Sequence, residues 1–299
     1  MGEEEKYIVF IVAGGHGKVI MSTAVVEAMK KAHPDRKIVI VAAWDAPWYG
    51  NPHIYRFYTF DQMNNYFYDD FIKDKDTLVF QHDPYHTTEY ITKSENLIET
   101  WCKLFDIPYN GELPKLYIND REREIVKDKI KPDMGKPIML LQTHGGLPSH
   151  QYSKKSWARD MPIQIAQNAA NFYSKQYRVL HIRLDEQPAL HNVEPVTLPH
   201  RELYALFELS KKRLFIDSFS QHVAAALDLP STVCWIVNKP KVLGYEMHED
   251  VFPNQEMKHE MNKYSFLEQY DITGQIQQFP YDNVNLFDFG DITKALAKQ

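Results

Sequence analysis

The chain opens with an apolar run that changes into a helical pattern. Tyr7–Val12 is entirely apolar, which predicts a strand buried on both faces of a parallel sheet. The cluster Gly14–Gly17 follows, and apolar positions then recur at helical spacing as far as Lys31. Because Lys37–Ala42 is a second apolar run, the pattern predicts a β-α-β unit. Its glycine turn would let a ligand approach the backbone at the N-terminus of the helix.

The same alternation returns in the second half of the chain. Ile138–Gln142 is an apolar strand that leads into a turn at 143–146, and the segment 131–137, with two prolines and a glycine, is typical of a linker. The pattern predicts an α/β protein with two Rossmann-like parallel-sheet domains, residues 1–131 and 137–284, facing across a cleft. Further strands are predicted at Thr77–Gln81, Tyr177–Ile182, Leu214–Ile216 and Thr232–Val237, and helices at Asn96–Phe105, Asp120–Ile130, Ile163–Tyr173, His200–Leu209 and Gln221–Leu227.

The segment 44–76 is irregular and rich in Trp, Tyr and Phe. Two interpretations stay open for it. The rings either pack short strands and helices together, or form a stacking surface for a sugar or a base.

Composition narrows the class of protein. The chain has 299 residues, 44% hydrophobic and 25% charged, and a net charge of −6 that gives no strong nucleic-acid signal. The acidic start Met1–Lys6 predicts no signal peptide, and no apolar run approaches the roughly 18 residues of a membrane span. Two cysteines without a ligand pattern suit a reducing compartment. We therefore expect a cytoplasmic protein, which could also work at the inner face of the membrane.

The residue pattern argues against a metal site. The sequence has one Asp-x-Asp match, Asp74–Asp76, which precedes a strand and so should lie at the end of the sheet away from ligands. A solvated charged turn explains it better, and no His/Cys ligand set is present in the sequence. The sequence therefore predicts no metal site.

Two nucleotide-binding motifs fail in the first glycine turn. A Walker A loop needs Ser or Thr after its Gly-Lys pair and a glycine five residues before it, where this chain has Val19 and Val12. The dinucleotide pattern G-x-G-x-x-G is met by Gly15 and Gly17 but ends on Ile20. A nicotinamide-binding enzyme is therefore a weak alternative.

Three other segments carry candidate chemistry. His82, Asp83 and His86 follow a predicted strand, where ligands gather in open α/β sheets, although a solvated loop is an equal alternative. In 217–222, Ser218 and Ser220 can cap a helix whose free amides would suit a diphosphate. A third segment, Lys154–Trp157, holds lysines that could neutralise a leaving phosphate, or that are simply solvated.

Taken together, these segments resemble the heptosyltransferase-type glycosyltransferases, family 9 of the GT-B fold. Gly14–Val41 resembles that family's glycine turn and following helix, and KKSW at Lys154–Trp157 resembles its K-x-W segment. The most specific match is Asp217–Ile236, where Asp217, His222, Ala224–Leu227 and Pro230 align with the D-S/T-G-x-x-H-x-A-A-A-L-G-x-P pattern. The resemblance covers most of the chain and ends at Asn285–Leu296, which looks like the family's C-terminal segment.

The resemblance implies an inverting, metal-independent transferase that uses a nucleotide-diphosphate sugar as donor and needs no other cofactor. The acceptor would be a glycan or glycolipid such as a lipopolysaccharide core sugar, or less plausibly a hydroxylated nucleic-acid base. A C-terminal helix at 285–299 would cross back to the first domain. The implied donor-binding residues are Thr143, His144, Gly145, Lys155, Asp217, Ser218, Phe219, Ser220 and His222, and the implied acceptor-binding residues are Gly15, Gly17, His82 and His86.

Two departures from the family pattern bear on the mechanism. The family's catalytic Asp directly after the glycine is Lys18 here, and the glycine of its D-S-G is Phe219. Our hypothesis is that His16 serves as the base and Lys18 binds an anion, with Asp83 or its neighbouring histidines as a second source of the base. The alternative is a catalytically inactive protein that binds a nucleotide sugar.

Overall fold

The computed structural model describes residues 5–132, 135–146, 159–257 and 281–299. In this part of the chain the strands form two parallel sheets. The first sheet has the order β3-β2-β1-β4, built from β1 (Lys6–Val12), β2 (Lys37–Ala42), β3 (Ile54–Tyr58) and β4 (Asp76–Phe80). Strands β1 and β2 pair in register from Tyr7 with Lys37 to Val12 with Ala42. The predicted β-α-β unit is therefore present.

Helix α1 (His16–Ala32) follows β1 after a glycine turn, and its position depends on that turn. Gly14 has φ +115°, a conformation that residues with a side chain rarely adopt. Val19, Val25 and Met29 are completely buried on the helix face that covers the sheet. Four more helices follow in this half: α2 (Asn65–Phe71), α3 (Thr88–Ile91), α4 (Leu97–Leu104) and α5 (Asp120–Ile130).

The second sheet has the order β10-β9-β8-β5-β6-β7, again with parallel neighbours. Its strands are β5 (Ile138–Leu141), β6 (Arg178–Ile182), β7 (Glu194–Val196), β8 (Ser210–Ile216), β9 (Thr232–Cys234) and β10 (Glu249–Val251). Its helices are α6 (Ile163–Tyr173), α7 (His200–Leu209), α8 (Phe219–Ala226), α9 (Pro240–Leu243) and α10 (Phe289–Ala297).

Strands β3, β7 and β10 have no counterpart in the sequence-based prediction. All three lie at sheet edges, where a strand is short and less uniformly apolar. Strand β7 even contains Pro195, which an edge tolerates because one side of the strand has no ladder bonds to make. The predicted strand Thr232–Val237 ends at Cys234, and β8 begins at Ser210, four residues before the predicted Leu214.

Helices α5 and α10 both pack on the second half of the chain. Helix α5 packs on α7, and its buried Val126 and Ile130 share a core with Leu140 and Leu203 of the second half. Helix α10 packs against β8, β9, β10 and α6, and its buried Ile292 lies in the core of the second sheet. The expectation that the C-terminal helix crosses back to the first domain is therefore corrected. The domain limits 1–131, 137–284 and 285–299 stay predictions.

The aromatic segment 44–76 divides into two parts. Tyr58 packs edge-on against Phe67 and Phe71, and these rings lie beside Tyr7 and cover the outer face of the first sheet. In contrast, the Tyr66 side chain is 79% exposed. Part of the segment is thus ordinary core. Among the described residues no helix combines the length and apolarity needed to span a membrane.

Candidate active site

A cleft of about 620 Å³ opens where both sheets present the carboxyl ends of their strands. The first residues of α1, α7 and α8 all line it, so three helix N-termini point toward the same space. The sequence-predicted residues that the structure brings together there are Gly15, His16, Gly17 and Lys18 from the first half and His144, Gly145, Asp217, Ser218, Phe219 and His222 from the second.

Gly17 is where helices α1 and α8 meet. A Cβ built on Gly17 would lie 2.9 Å from Cδ2 of His222 and 3.3 Å from the backbone Cα of Phe219. Real Cβ atoms essentially never come that close, so the contact requires glycine. The consequence is that the unpaired amides at the start of both helices face one cleft, where an anion is favoured.

His16 is held between the two halves by aromatic groups. Its ring stacks on His200 with centroids 4.1 Å apart, and Trp44 meets it edge-on at 5.0 Å. The Tyr204 hydroxyl and Nε2 of His16 share a hydrogen bond, while Nδ1 is buried without a partner in the described part of the chain. Burial, with a smaller contribution from His200, lowers the pKa of His16 to about 3. The ring is therefore neutral at physiological pH, and it is a weak base.

Lys18 forms an ion pair with Asp83, whose Oδ2 lies 2.6 Å from Nζ. The Lys18 side chain is 3% exposed and that of Asp83 is 29% exposed. The ammonium also lies 4.7 Å from the centre of the Tyr85 ring and 5.5 Å from that of Trp101. Burial lowers the pKa of Lys18, an effect that the hydrogen bond to Asp83 opposes. An anion bound by Lys18 would thus compete with a carboxylate already in place.

Asp217 is a buried carboxylate that accepts hydrogen bonds from two amide side chains. Gln221 Nε2 donates to its Oδ1 at 2.9 Å, and Asn238 Nδ2 donates to its Oδ2 at 2.7 Å. Burial raises the pKa of this carboxyl, and these two hydrogen bonds oppose the rise. Asp217 therefore holds the turn before α8 in place.

The serines of the second turn do not cap α8 as predicted. Ser218 is the N-cap residue, but its side chain makes no capping hydrogen bond, and its Oγ accepts one from Gln142 at 3.3 Å. Ser220 lies inside the helix, and its buried Oγ has no partner among the described residues. The first amides of α8 are thus left without a side-chain cap.

In the turn after β5, Thr143, His144 and Gly145 are buried, and His144, Gly145 and Gly146 line the cleft. Thr143 is fully buried, and its Oγ1 lies 2.8 Å from His144 Nδ1 and 2.9 Å from His181 Nε2. It therefore orients His144 and does not line the cleft. A Cβ on Gly145 would lie 2.5 Å from Arg159 Nε, so this glycine lets the arginine cross the turn. Burial, with a smaller effect of His144, lowers the pKa of His181 to about 4.

Five of the predicted residues that the structure describes do not line the cleft: His82, Asp83, His86, Thr143 and Ser220. His82 and His86 are exposed and lie beside the cleft at the end of β4. Lys155, with the rest of Lys154–Trp157, lies outside the described residues. Within the described ranges no group of three His, Cys, Asp or Glu side chains could hold a metal ion.

Several residues that line the cleft are missing from the sequence-based prediction. Arg183 directly follows β6, and His200 is the first residue of α7, so the rule that ligands gather at strand ends and helix starts could have found both. The apolar wall has no such local signal. It is formed by Ile182, Val196, Leu198 and Leu203.

The fold can be compared with solved structures. A glycosyl transferase family 9 structure from Veillonella parvula DSM 2008 is similar to this chain with a TM-score of 0.70 and 13% identity, over 100% of this chain and 98% of that one. The ADP-heptose lps heptosyltransferase II of E. coli matches with a TM-score of 0.67 and 12% identity, over 98% and 99%.

A third similar structure is the dodecameric iron-containing heptosyltransferase TibC in complex with ADP-D-beta-D-heptose. It has a TM-score of 0.65 and 14% identity, over 99% of this chain and 77% of that one. No protein-family profile and no curated protein sequence matches the chain. The expected fold is confirmed: the chain has the GT-B arrangement of the family 9 heptosyltransferase structures.

Proposed function

We propose that the protein is a glycosyltransferase that moves a sugar from a nucleotide-diphosphate sugar to an acceptor hydroxyl. The observation that carries this proposal is the meeting of the N-termini of α1 and α8 at one cleft between two parallel sheets. Its volume of about 620 Å³ falls in the range of small-molecule sites. The likeness of the fold to heptosyltransferase structures supports the same reaction class.

The donor would lie on the second half of the chain. Its diphosphate would accept hydrogen bonds from the first amides of α8, with Arg159 and Arg183 as the cations lining that side. The nucleobase of the donor would contact the apolar wall formed by Ile182, Val196, Leu198 and Leu203. Lys155 stays a proposed phosphate ligand outside the described residues. An adenine nucleotide is the first choice, because similar heptosyltransferase structures are complexes with ADP-D-beta-D-heptose or with ADP.

The proposed reaction is a single displacement with inversion. A base takes the proton of the acceptor hydroxyl, its oxygen attacks the anomeric carbon, and the nucleoside diphosphate leaves. Helix amides and arginines stabilise the departing charge, so we propose neither a metal nor a further cofactor. The acceptor, a glycan or glycolipid, would lie toward Gly15, Gly17, His82 and His86. We place the reaction in the cytoplasm or at the inner membrane face.

Nucleotide binding tests this proposal. We expect one of ADP, UDP, GDP or CDP to raise the melting temperature without metal, since a ligand at about one hundred times its Kd adds about 2.7 kcal/mol. Arg183→Gln should weaken that response, whereas Arg121→Gln, at an exposed position of α5, should not. No shift with any diphosphate would contradict the proposal, and a shift with NAD alone would favour a nicotinamide enzyme.

A second candidate is a protein that binds a nucleotide sugar without transferring it. The observation in its favour is Lys18 at the position of the family's Asp. Release of nucleoside diphosphate from a bound sugar nucleotide would separate the two candidates, because a binding protein would hold the donor intact.

A further inference from the structure

We propose that Asp83 is the general base of the transfer reaction and that Lys18 is the positioning residue that fixes its carboxylate. This inference rests on the proposed function. Strand β4, which leads into Asp83, pairs in parallel with β1, which leads into the glycine turn and Lys18. Both residues therefore lie at the same edge of the first sheet, beside the cleft. Position 18 is a lysine in this chain, and Asp83, which follows the neighbouring strand β4, supplies a carboxylate instead.

Lys18 has little freedom to move. Its side chain crosses Gly14, where a Cβ would lie 3.0 Å from its Cδ. Its ammonium then ends over the rings of Tyr85 and Trp101, 2.6 Å from Asp83. A buried cation of this kind needs a fixed anion, so the pair holds the carboxylate in one place.

Asp83 is the open member of the pair. Its Oδ1 accepts the Tyr85 backbone N–H at 3.0 Å, and its Oδ2 accepts Lys18. A carboxylate offers about four lone-pair sites, so two contacts leave room for a hydroxyl. Its side chain is 29% exposed against 3% for Lys18, so the carboxylate is the member of the pair that solvent reaches. The acceptor hydroxyl would lie on this exposed side of Asp83, next to Lys18, which lines the cleft.

Two titratable residues that line the cleft, His16 and Asp217, fit the role of the base less well. His16 shares Nε2 with Tyr204, and its Nδ1 is buried. Asp217 is 5% exposed, and both of its oxygens accept amide hydrogen bonds from Gln221 and Asn238. Asp83 replaces our sequence-based hypothesis that His16 is the base.

The step balances without any further reactant. An oxygen of Asp83 takes the proton of the acceptor hydroxyl as the new bond from that hydroxyl oxygen to the anomeric carbon forms. The bond from the anomeric carbon to the phosphate oxygen breaks, and its electron pair leaves with the nucleoside diphosphate. The carboxylic acid then returns its proton to water. In donor hydrolysis, water takes the place of the acceptor.

Release of nucleoside diphosphate from ADP-heptose, ADP-glucose, UDP-glucose and GDP-mannose, with water as acceptor, tests the assignment. We expect Asp83→Asn to lower kcat at least about 100-fold, within the usual contribution of a general base, while KM and the thermal shift with nucleotide stay unchanged. Should Asp83→Asn fail to fold with an unpaired Lys18, the double variant Lys18→Met/Asp83→Asn takes its place. Asp35→Asn, from the exposed Lys6–Asp35 pair, is the matched control and should keep kcat.

The role of Lys18 needs its own measurement. Lys18→Met should lower kcat without changing KM, and Lys18→Arg, which keeps the cation, should recover most of the loss. A role in stability alone would not produce this division between kcat and KM. Lys18→Met with the kcat of the wild-type protein would overturn the positioning role.

The outcomes separate this inference from the proposed function. If the wild-type protein responds to no nucleotide, the proposed function fails and this inference fails with it. If it releases nucleoside diphosphate and the Asp83 variants do so within threefold of its rate, the base assignment alone is overturned. If it binds nucleotide but hydrolyses no donor, the nucleotide site stands and the base assignment is overturned.

Discussion

The two turns that meet in the cleft compensate a buried charge in different ways. Each follows a buried strand and starts a helix, α1 in the first half and α8 in the second. In the first turn the Lys18 cation is neutralised by the Asp83 carboxylate. In the second, Asp217 is stabilised by the neutral amides of Gln221 and Asn238.

This difference separates the two turns by the chemistry they allow. Beside the first turn, the carboxylate of Asp83 is partly exposed, and we propose that it exchanges a proton with a bound molecule. In the second turn the carboxylate is enclosed and holds the backbone, which leaves the helix amides to bind. Under the proposed roles, the same strand–turn–helix motif is a reactive element in the first half and a binding element in the second, and the two differ in which member of the polar network reaches solvent.

The largest expected effect on stability tests the difference in burial between Lys18 and Asp83. Asp83→Asn leaves a buried cation unpaired and should lower the free energy of unfolding by about 3 kcal/mol. Lys18→Met should cost less, because Asp83 is 29% exposed and can be hydrated. Urea unfolding measures both, and the double variant should recover part of the loss. If both single variants lost the same free energy of unfolding, the different burial of Lys18 and Asp83 would have no effect on stability.

A smaller effect is expected at the contact between the turns. Gly17→Ala forces a methyl group against His222 and Phe219, and overpacking of this kind should cost about 2 kcal/mol. Gly15→Ala is the matched control, because a Cβ there meets nothing within 4 Å. As an N-cap change it should cost less than about 1 kcal/mol. If thermal unfolding gave the same loss for both variants, helices α1 and α8 would not be in tight contact at Gly17.

The smallest expected effect concerns the pH dependence of the second turn. Burial, with a smaller effect of His248, lowers the pKa of His222 to about 3, and its Nδ1 lies 2.8 Å from the Tyr245 hydroxyl. The unfolded chain therefore binds a proton that the folded protein does not, so stability is complete above about pH 6.5 and falls as pH is lowered toward 3. His222→Gln should remove up to about 1.4 kcal/mol per pH unit from that slope. Urea unfolding between pH 7 and 5 measures the slope, and a slope like that of the wild-type protein would contradict the assignment.

Long amphipathic or uniformly apolar segments were predictable. Helices Asp120–Ile130, Ile163–Tyr173 and His200–Leu209 have the predicted bounds, because their apolar spacing persists over several turns. Edge strands such as Glu194–Val196 were missed, because three residues are too few to show an alternation of apolar and polar positions. Within the site, the strand-end rule found both turns and Asp83. Arg183 and His200 were missed because the rule was not applied to the end of β6 and the start of α7.

The amino-acid sequence by itself determined two parallel α/β halves and the turns that end their first strands, because periodicity and glycine act locally. Only the tertiary structure decided which charged and aromatic groups meet. Lys18 and Asp83 are 65 residues apart, and His16 and Tyr204 are 188 residues apart. Such contacts depend on strand order and on the packing of one half against the other. For the same physical reason, the tertiary structure decided that the exposed member of the buried pair is the carboxylate.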